Sequence, residues 1–255
     1  MLQRHWKKIV IGIVVLAVLV LGGSFIYAKF INQADDEFNN DDVLDRLNGT
    51  TTVVVDTTGT PDTATGPTEP AESTTTTPAD TGVDGTWTIG AESEVGYRVD
   101  ETINGFATTA NGRTNAITGT FVIAGTSVES GDFTVDMTTF KSDESRRDGQ
   151  FNGRIMSVDE FPTSTFVLTQ PIEFGEIPAD GVTITASATG DLTLRGITKP
   201  VTFDVQATFA NGRIGVLGQI PVVFADFGIP NPSIATIATE DNGLLEFVLI
   251  FDRAT

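Results

Sequence analysis

With 255 residues, 40% of them hydrophobic, and a formal net charge of −19, the chain has material for one good-sized core plus flanking segments. The absence of cysteine excludes a disulfide framework, a thiolate metal site and a lipid carried on an N-terminal cysteine. The acidic balance argues against nucleic acid or anionic headgroups as partners, and the one histidine, His5, leaves everything downstream without imidazole chemistry.

Residues 1–8 carry Arg4, Lys7 and Lys8 and precede an apolar run, 9–28, of about twenty residues, enough to cross a bilayer as a helix. Positive charge before the run and acid after Lys29 place 1–8 in the cytoplasm and the rest outside, on a single-pass protein of the cell membrane. A cleaved signal peptide ending at Ala28 is the competing reading. The run exceeds the roughly 7–15 residues of a signal-peptide core, which favours an uncleaved signal-anchor.

Residues 29–85 lack sustained periodicity. They are acidic first (Asp35, Asp36, Glu37, Asp41, Asp42, Asp45), then rich in Thr, Pro, Gly and Ala. Such a stretch buries too little apolar surface to offset its ordering entropy and is expected to be a disordered tether. Val43, Leu44 and Leu47 allow one helical turn within it.

From Thr86 the texture becomes short alternating segments, so 86–255 is expected to be one all-β domain. Trp87 and Ile89 open it, and Val95, Tyr97 and Val99 continue it. Ile117, Phe121 and Ile123 share one parity, as do Phe133, Val135 and Met137, then Phe166 and Leu168. Residues 181–196 form the longest alternating stretch. Val182, Ile184, Ala186, Ala188, Leu192 and Leu194 face one way and threonines the other, with Gly190 a candidate bend or bulge. Phe203 and Val205 repeat the pattern. Asn211-Gly212 is a strong hairpin signal and Asn111-Gly112 is read as another, while Asn242-Gly243 introduces the last strand. Long one-sided strands suit an antiparallel, lipocalin-like barrel of about eight strands with an apolar interior. Residues 142–158 break the alternation. There Phe151, Ile155 and Met156 would form the apolar side of a short helical or irregular lid, and Arg146, Arg147 and Asp148 either a solvated loop with local ion pairs or a polar gate that meets a ligand headgroup.

The domain resembles the YceI-like family of lipid-binding, lipocalin-like barrels. Trp87 and Ile89, with Ser93 or Glu94-Val95, match its opening. Gly119-Thr120-Phe121, Arg147-Asp148, Phe161-Pro162 and Thr165-Phe166 follow in order. Gly190-Asp191-Leu192-Thr193-Leu194-Arg195-Gly196-Ile197-Thr198-Lys199-Pro200-Val201 is the most specific match, and Asp226-Phe227-Gly228-Ile229 the last. Two positions depart from the family pattern: Phe224 stands where an arginine is frequent, and Asp100 where a histidine is. The resemblance implies a hollow that holds a polyisoprenoid, quinone-like, or another long-chain apolar lipid. The expected lining is Phe121, Ile123, Phe133, Val135, Met137, Phe151, Ile155, Met156, Phe166, Leu168, Ile184, Leu192, Leu194, Phe203, Val205, Phe224 and Phe227.

No nucleophile elbow, phosphate loop, calcium loop or metal motif is present in the sequence, so neither an enzyme nor a cofactor or metal is expected. The expected partners are a long-chain apolar lipid and the membrane, reached through the N-terminal helix. The sequence leaves the oligomeric state open, a homodimer included. The alternative function is a filled barrel that acts through its surface as a structural or adhesion module of the cell envelope.

Overall fold

Alternation at period two sets the architecture. In the computed structural model, which describes residues 34–49 and 82–254, twelve antiparallel strands form one sheet: β1 (Gly85–Ile89), β2 (Glu94–Ile103), β3 (Phe106–Thr114), β4 (Ile117–Ala124), β5 (Ser127–Asp136), β6 (Thr163–Leu168), β7 (Ile172–Glu173), β8 (Thr183–Leu194), β9 (Ile197–Ala210), β10 (Arg213–Val223), β11 (Ile237–Thr239) and β12 (Asn242–Arg253). Eight of them close on themselves in the order β1-β4-β5-β6-β8-β9-β10-β12, with β12 pairing back to β1. Closure leaves the eight-strand ring without a free edge. The edge of β12 is shared. Its C-terminal end pairs with β1 and its N-terminal half with β2, so the β2–β3 hairpin extends one wall beyond the ring.

Among the described residues two segments are α-helical, α1 (Asn40–Leu47) and α2 (Ser145–Gln150), and two are short 3-10 turns, Met137–Thr139 and Phe224–Phe227. Helix α2 runs into a wider turn, Phe151–Ile155, in which the Met156 amide reaches back to the Phe151 carbonyl. Together they realise the expected helical lid between β5 and β6.

Three sequence expectations change. Asn111-Gly112 is no hairpin: both residues lie within β3, opposite Arg98 and Tyr97. The turn is Asn104-Gly105, with φ of 50° and 88°, values that Asn and Gly tolerate. Gly112 is needed because the Tyr97 ring lies where a Cβ would stand. Gly190 marks neither bend nor bulge, since β8 pairs with β9 in unbroken register from Thr183 to Leu194. A side chain there would enter the Phe166 ring and stand 2.5 Å from the Val167 carbonyl oxygen. The long strand ends sooner than its alternation suggests. Val182 is exposed, and Arg195-Gly196 is a tight turn with φ of 48° and 73°.

A fourth correction concerns 29–85. Residues 34–49, read as unstructured tether, form a strap on the outer face of the barrel. Asn39 caps α1, accepting from the Asp41 amide at 2.8 Å, while the Asp42 carboxylate accepts from the Asn39 amide at 2.8 Å. Asp41 and Asp42 at the first turn and Arg46 at the last suit the helix dipole. Val43 and Leu47, one turn apart, are buried with Phe38 against Ala210, Leu217, Val248 and Ile250. The expected anchor, 9–28, and the Thr/Pro-rich stretch, 50–81, lie outside the described residues. Among the described residues no helix is long and apolar enough to cross a membrane.

Candidate functional site

Inward side chains do not fill the barrel. An inner chamber of about 230 Å³ remains, walled almost wholly by hydrocarbon. Of the expected lining, Phe121, Ile123, Phe133, Val135, Met137, Phe166, Leu168, Ile184, Leu192, Leu194, Phe203 and Val205 all border it. The end beneath the β9–β10 turn is stoppered by Val83, Ile172, Phe174 and Pro178. Buried Trp87, 6.5 Å from Phe121 and donating its indole N–H to the Val83 carbonyl at 2.8 Å, sits behind that stopper.

Towards the opposite end lies an outer chamber of about 460 Å³, under α2, the Phe151–Ile155 turn and residues 229–237. Met137, Phe140, Leu194 and Leu245 line both chambers, at the neck of the barrel where the two abut. Phe151, Ile155, Met156 and Phe224 line the outer chamber only. Three rings gather beside the neck. Tyr97 stacks on Phe151 at 4.8 Å, and Phe140 lies 5.1 Å from Phe151 and 5.8 Å from Tyr97. Burial pushes the Tyr97 phenol well above its ordinary pKa, so it stays protonated at neutral pH.

The outer chamber is amphipathic. Arg98, Glu101, Glu144, Arg146, Arg147 and Gln150 share its wall with the apolar residues. Arg147 bonds Asp143 one turn away and faces Glu101 at 3.9 Å. Its roof is tied down: Arg154 donates to the Asn231 and Pro232 carbonyls at 3.1 and 2.6 Å, joining the helical segment to the loop before β11. Arg195 reaches from the β8–β9 turn to the Gly228 carbonyl and to Ser157 at 3.2 Å.

The expected gate is thus divided. Arg146 and Arg147 face the outer chamber, whereas Asp148 does not line it. Asp148 instead accepts from the Ser142 amide and hydroxyl at 2.9 and 2.7 Å, fastening the start of the helical segment. Phe227 lines neither chamber; it is core, in the short turn that precedes Gly228. Asp100, the departure from the family histidine, is exposed and accepts from Thr109 at 2.9 Å, while its neighbour Glu101 faces the chamber. Phe224, the other departure, adds apolar wall to the outer chamber.

Sequence reasoning missed Phe140, Phe247, Leu249 and Phe251 among the lining, and the outer-chamber wall from Ile229 to Ile237. The period-two pattern of β12 carries a signal for the last three of the first group. No periodicity marks Phe140 or the 229–237 loop.

Among the described residues no cluster of three His, Cys, Asp or Glu could hold a metal ion. What the arrangement can do is enclose a chain of hydrocarbon with one polar end. Barrels of the same fold occur in distant proteins. A Burkholderia cenocepacia protein, BcnA, superposes with a TM-score of 0.51 at 21% identity, covering 66% of this chain and 99% of that one. A domain from Saccharophagus degradans, described as polyisoprenoid binding, gives 0.54 at 13% identity, covering 67% and 99%. In sequence, a UPF0312 protein of Vibrio parahaemolyticus is 28% identical over 152 residues, 56% of this chain and 75% of that protein. A Pseudomonas putida UPF0312 protein is 36% identical over 125 residues, 44% and 59% respectively. The YceI-like domain model matches residues 87–251, well over half of the sequence, and the chain therefore belongs to the YceI-like family.

Proposed function

We propose that the chain is a binding protein, anchored in the cell membrane by residues 9–28, whose extracytoplasmic barrel holds one long-chain apolar lipid, a polyisoprenoid of quinone-like type. The observation that carries this reading is the pair of chambers that abut at Met137, Phe140, Leu194 and Leu245: hydrocarbon wall inside, mixed wall outside. The outer chamber falls within the roughly 300–1,000 Å³ of ligand pockets, and the inner one is smaller, a slot for a tail. Each isoprene unit taken from water would contribute about 2–3 kcal/mol, at about 25 cal/mol per Å². A few units would suffice after the cost of ordering the chain. A polar end would stay among Arg146, Arg147 and Glu101. The name of the Saccharophagus degradans domain supports the ligand class.

The open inner volume weighs against the filled-barrel alternative. Extraction of the protein purified from its own membrane, followed by mass spectrometry, tests the proposal. About one isoprenoid lipid per chain is expected. No bound lipid, and no uptake of added isoprenoid, would overturn it.

A further inference from the structure

The strap fixes more than the outer face of the barrel. Asp35 sits at the level of the outer chamber. Its carbonyl accepts from Arg98 at 2.6 Å and its carboxylate from Asn111 at 3.0 Å, and Arg98 borders that chamber. From there the strap runs along β12 towards the stoppered end. Phe38 lies over Glu246, and the Leu47 carbonyl and Asn48 side chain meet Asn211 of the β9–β10 turn at 3.3 and 3.0 Å. Residue 34 is therefore at the mouth end and residue 49 at the far end. Gly82 lies at that far end too, where Arg253 bonds its carbonyl and Gly85 pairs with Ile123.

We infer that the bilayer is the surface the barrel mouth faces: with residues 9–28 in the membrane, as proposed above, the strap holds the outer chamber towards the lipid headgroups. Only residues 29–33 would separate the span from the docked strap. Five residues reach at most about 20 Å, whereas all of 29–85, extended, would reach roughly 190 Å and leave the barrel free to turn. Docking removes that freedom. The exit from the membrane and the opening of the hollow lie at one end of the barrel. A lipid leaving the bilayer would thus meet the amphipathic chamber first and the hydrocarbon slot second, without the protein inverting.

The cysteine-free chain allows a direct test. Full-length Ala107→Cys, in β3 beside the mouth, and Glu176→Cys, on the loop at the stoppered end, are labelled with a fluorophore. Each is reconstituted in phosphatidylcholine–phosphatidylglycerol vesicles that carry a headgroup nitroxide. Several-fold stronger quenching at position 107 than at 176 is expected. Twenty Gly/Ser residues inserted after residue 33 should bring both to the same low level. Co-flotation with the vesicles reads the anchor separately. Protein that floats yet shows equal or reversed quenching overturns the orientation and leaves the anchor standing. Protein that does not float overturns both.

Discussion

The carboxylate of Glu246, with no exposed surface, is held by the guanidinium of Arg113 at 3.0 Å. Glu246 points outward from β12, on the parity opposite Leu245 and Phe247, at a position that would face water in a bare barrel. The strap covers it. Phe38 donates its amide to the second oxygen at 3.3 Å and lays its ring 3.9 Å beneath Arg113. Arg98 lies 3.8 Å from the first oxygen. Removing one member of a buried pair strands the other charge, which typically costs about 3–5 kcal/mol. Arg113 keeps 18% of its side-chain exposure, so Glu246→Ala is expected near the lower end. Urea denaturation of the wild type and the variant measures it.

The strap itself should behave as a separable unit. Val43 and Leu47 fill the space above Gly215, where a Cβ would strike both. Burial of each contributes about 1.5–3 kcal/mol. Val43→Asp places a charge in that contact and should release 34–49 with the barrel intact. Limited proteolysis should then cut within the strap many times faster, and near-ultraviolet dichroism from Trp87 should be unchanged. Loss of the Trp87 signal would instead show that the barrel cannot stand without its strap.

How much of this was legible beforehand follows from period. In β8 and β9 alternation runs for many residues, so the inward set Ile184, Leu192, Leu194, Phe203 and Val205 could be read directly. The strap's helix was legible only as one turn, at Val43, Leu44 and Leu47, without its docking. Its apolar content is only Phe38, Val43, Leu44 and Leu47 in an acidic stretch, and its stability comes from a barrel face made of residues some 170–200 positions away. The same face explains Glu246, whose burial no local pattern signals. Asn111-Gly112 misled for a related reason. The glycine answers to the Tyr97 ring across the strand pair, a tertiary demand written in the letters of a turn. Asp148 and Phe227 were misplaced because sequence adjacency to lid and loop does not say which side of the backbone meets the hollow.

Gly190 offers a sharper test of such a demand. A methyl group there meets the Phe166 ring and the Val167 carbonyl, and the carbonyl belongs to the neighbouring strand and cannot rotate away. Gly190→Ala should cost about 1–3 kcal/mol, the range for overpacking a fitted core. Gly149, in α2, has nothing within 4 Å of a built Cβ. Gly149→Ala should stabilise by about 0.5–1 kcal/mol through the helix preference for alanine. Thermal midpoints moving in opposite directions check both together.

Acid should weaken one polar cluster selectively. The Arg213 guanidinium, bonded to Glu92 at 2.7 Å, holds the Glu92 carboxyl below the ordinary carboxylate value. A depressed carboxylate contributes stability above its unfolded pKa and loses it as pH falls through the folded value. Glu92 is half exposed, so the contribution stays below about 1 kcal/mol. Glu92→Gln should therefore lower the melting midpoint slightly at pH 7 and leave it equal to wild type near pH 3. A gap that persists unchanged at pH 3 would contradict the ionic origin.

The hollow can be filled from its own wall. Ala188 lies inward on β8 with 2% exposure and borders the inner chamber. A phenyl ring there would project into about 230 Å³ of open space. Its overpacking cost should fall at the low end of about 1–3 kcal/mol, because the ring displaces little protein. Ala188→Phe is expected to fold and to lose at least tenfold in affinity for a fluorescent polyisoprenoid, since the tail slot is occupied. Leu192→Asp, two inward positions further along, should lose binding and fold together, as an unpaired charge enters the core. Thr202→Lys, on the exposed parity of β9, should shift stability by no more than about 0.5 kcal/mol and leave binding unchanged. Titration of each variant with the probe, read beside its melting midpoint, separates the three cases. Wild-type affinity in a folded Ala188→Phe protein would mean that the lipid sits elsewhere than the inner chamber.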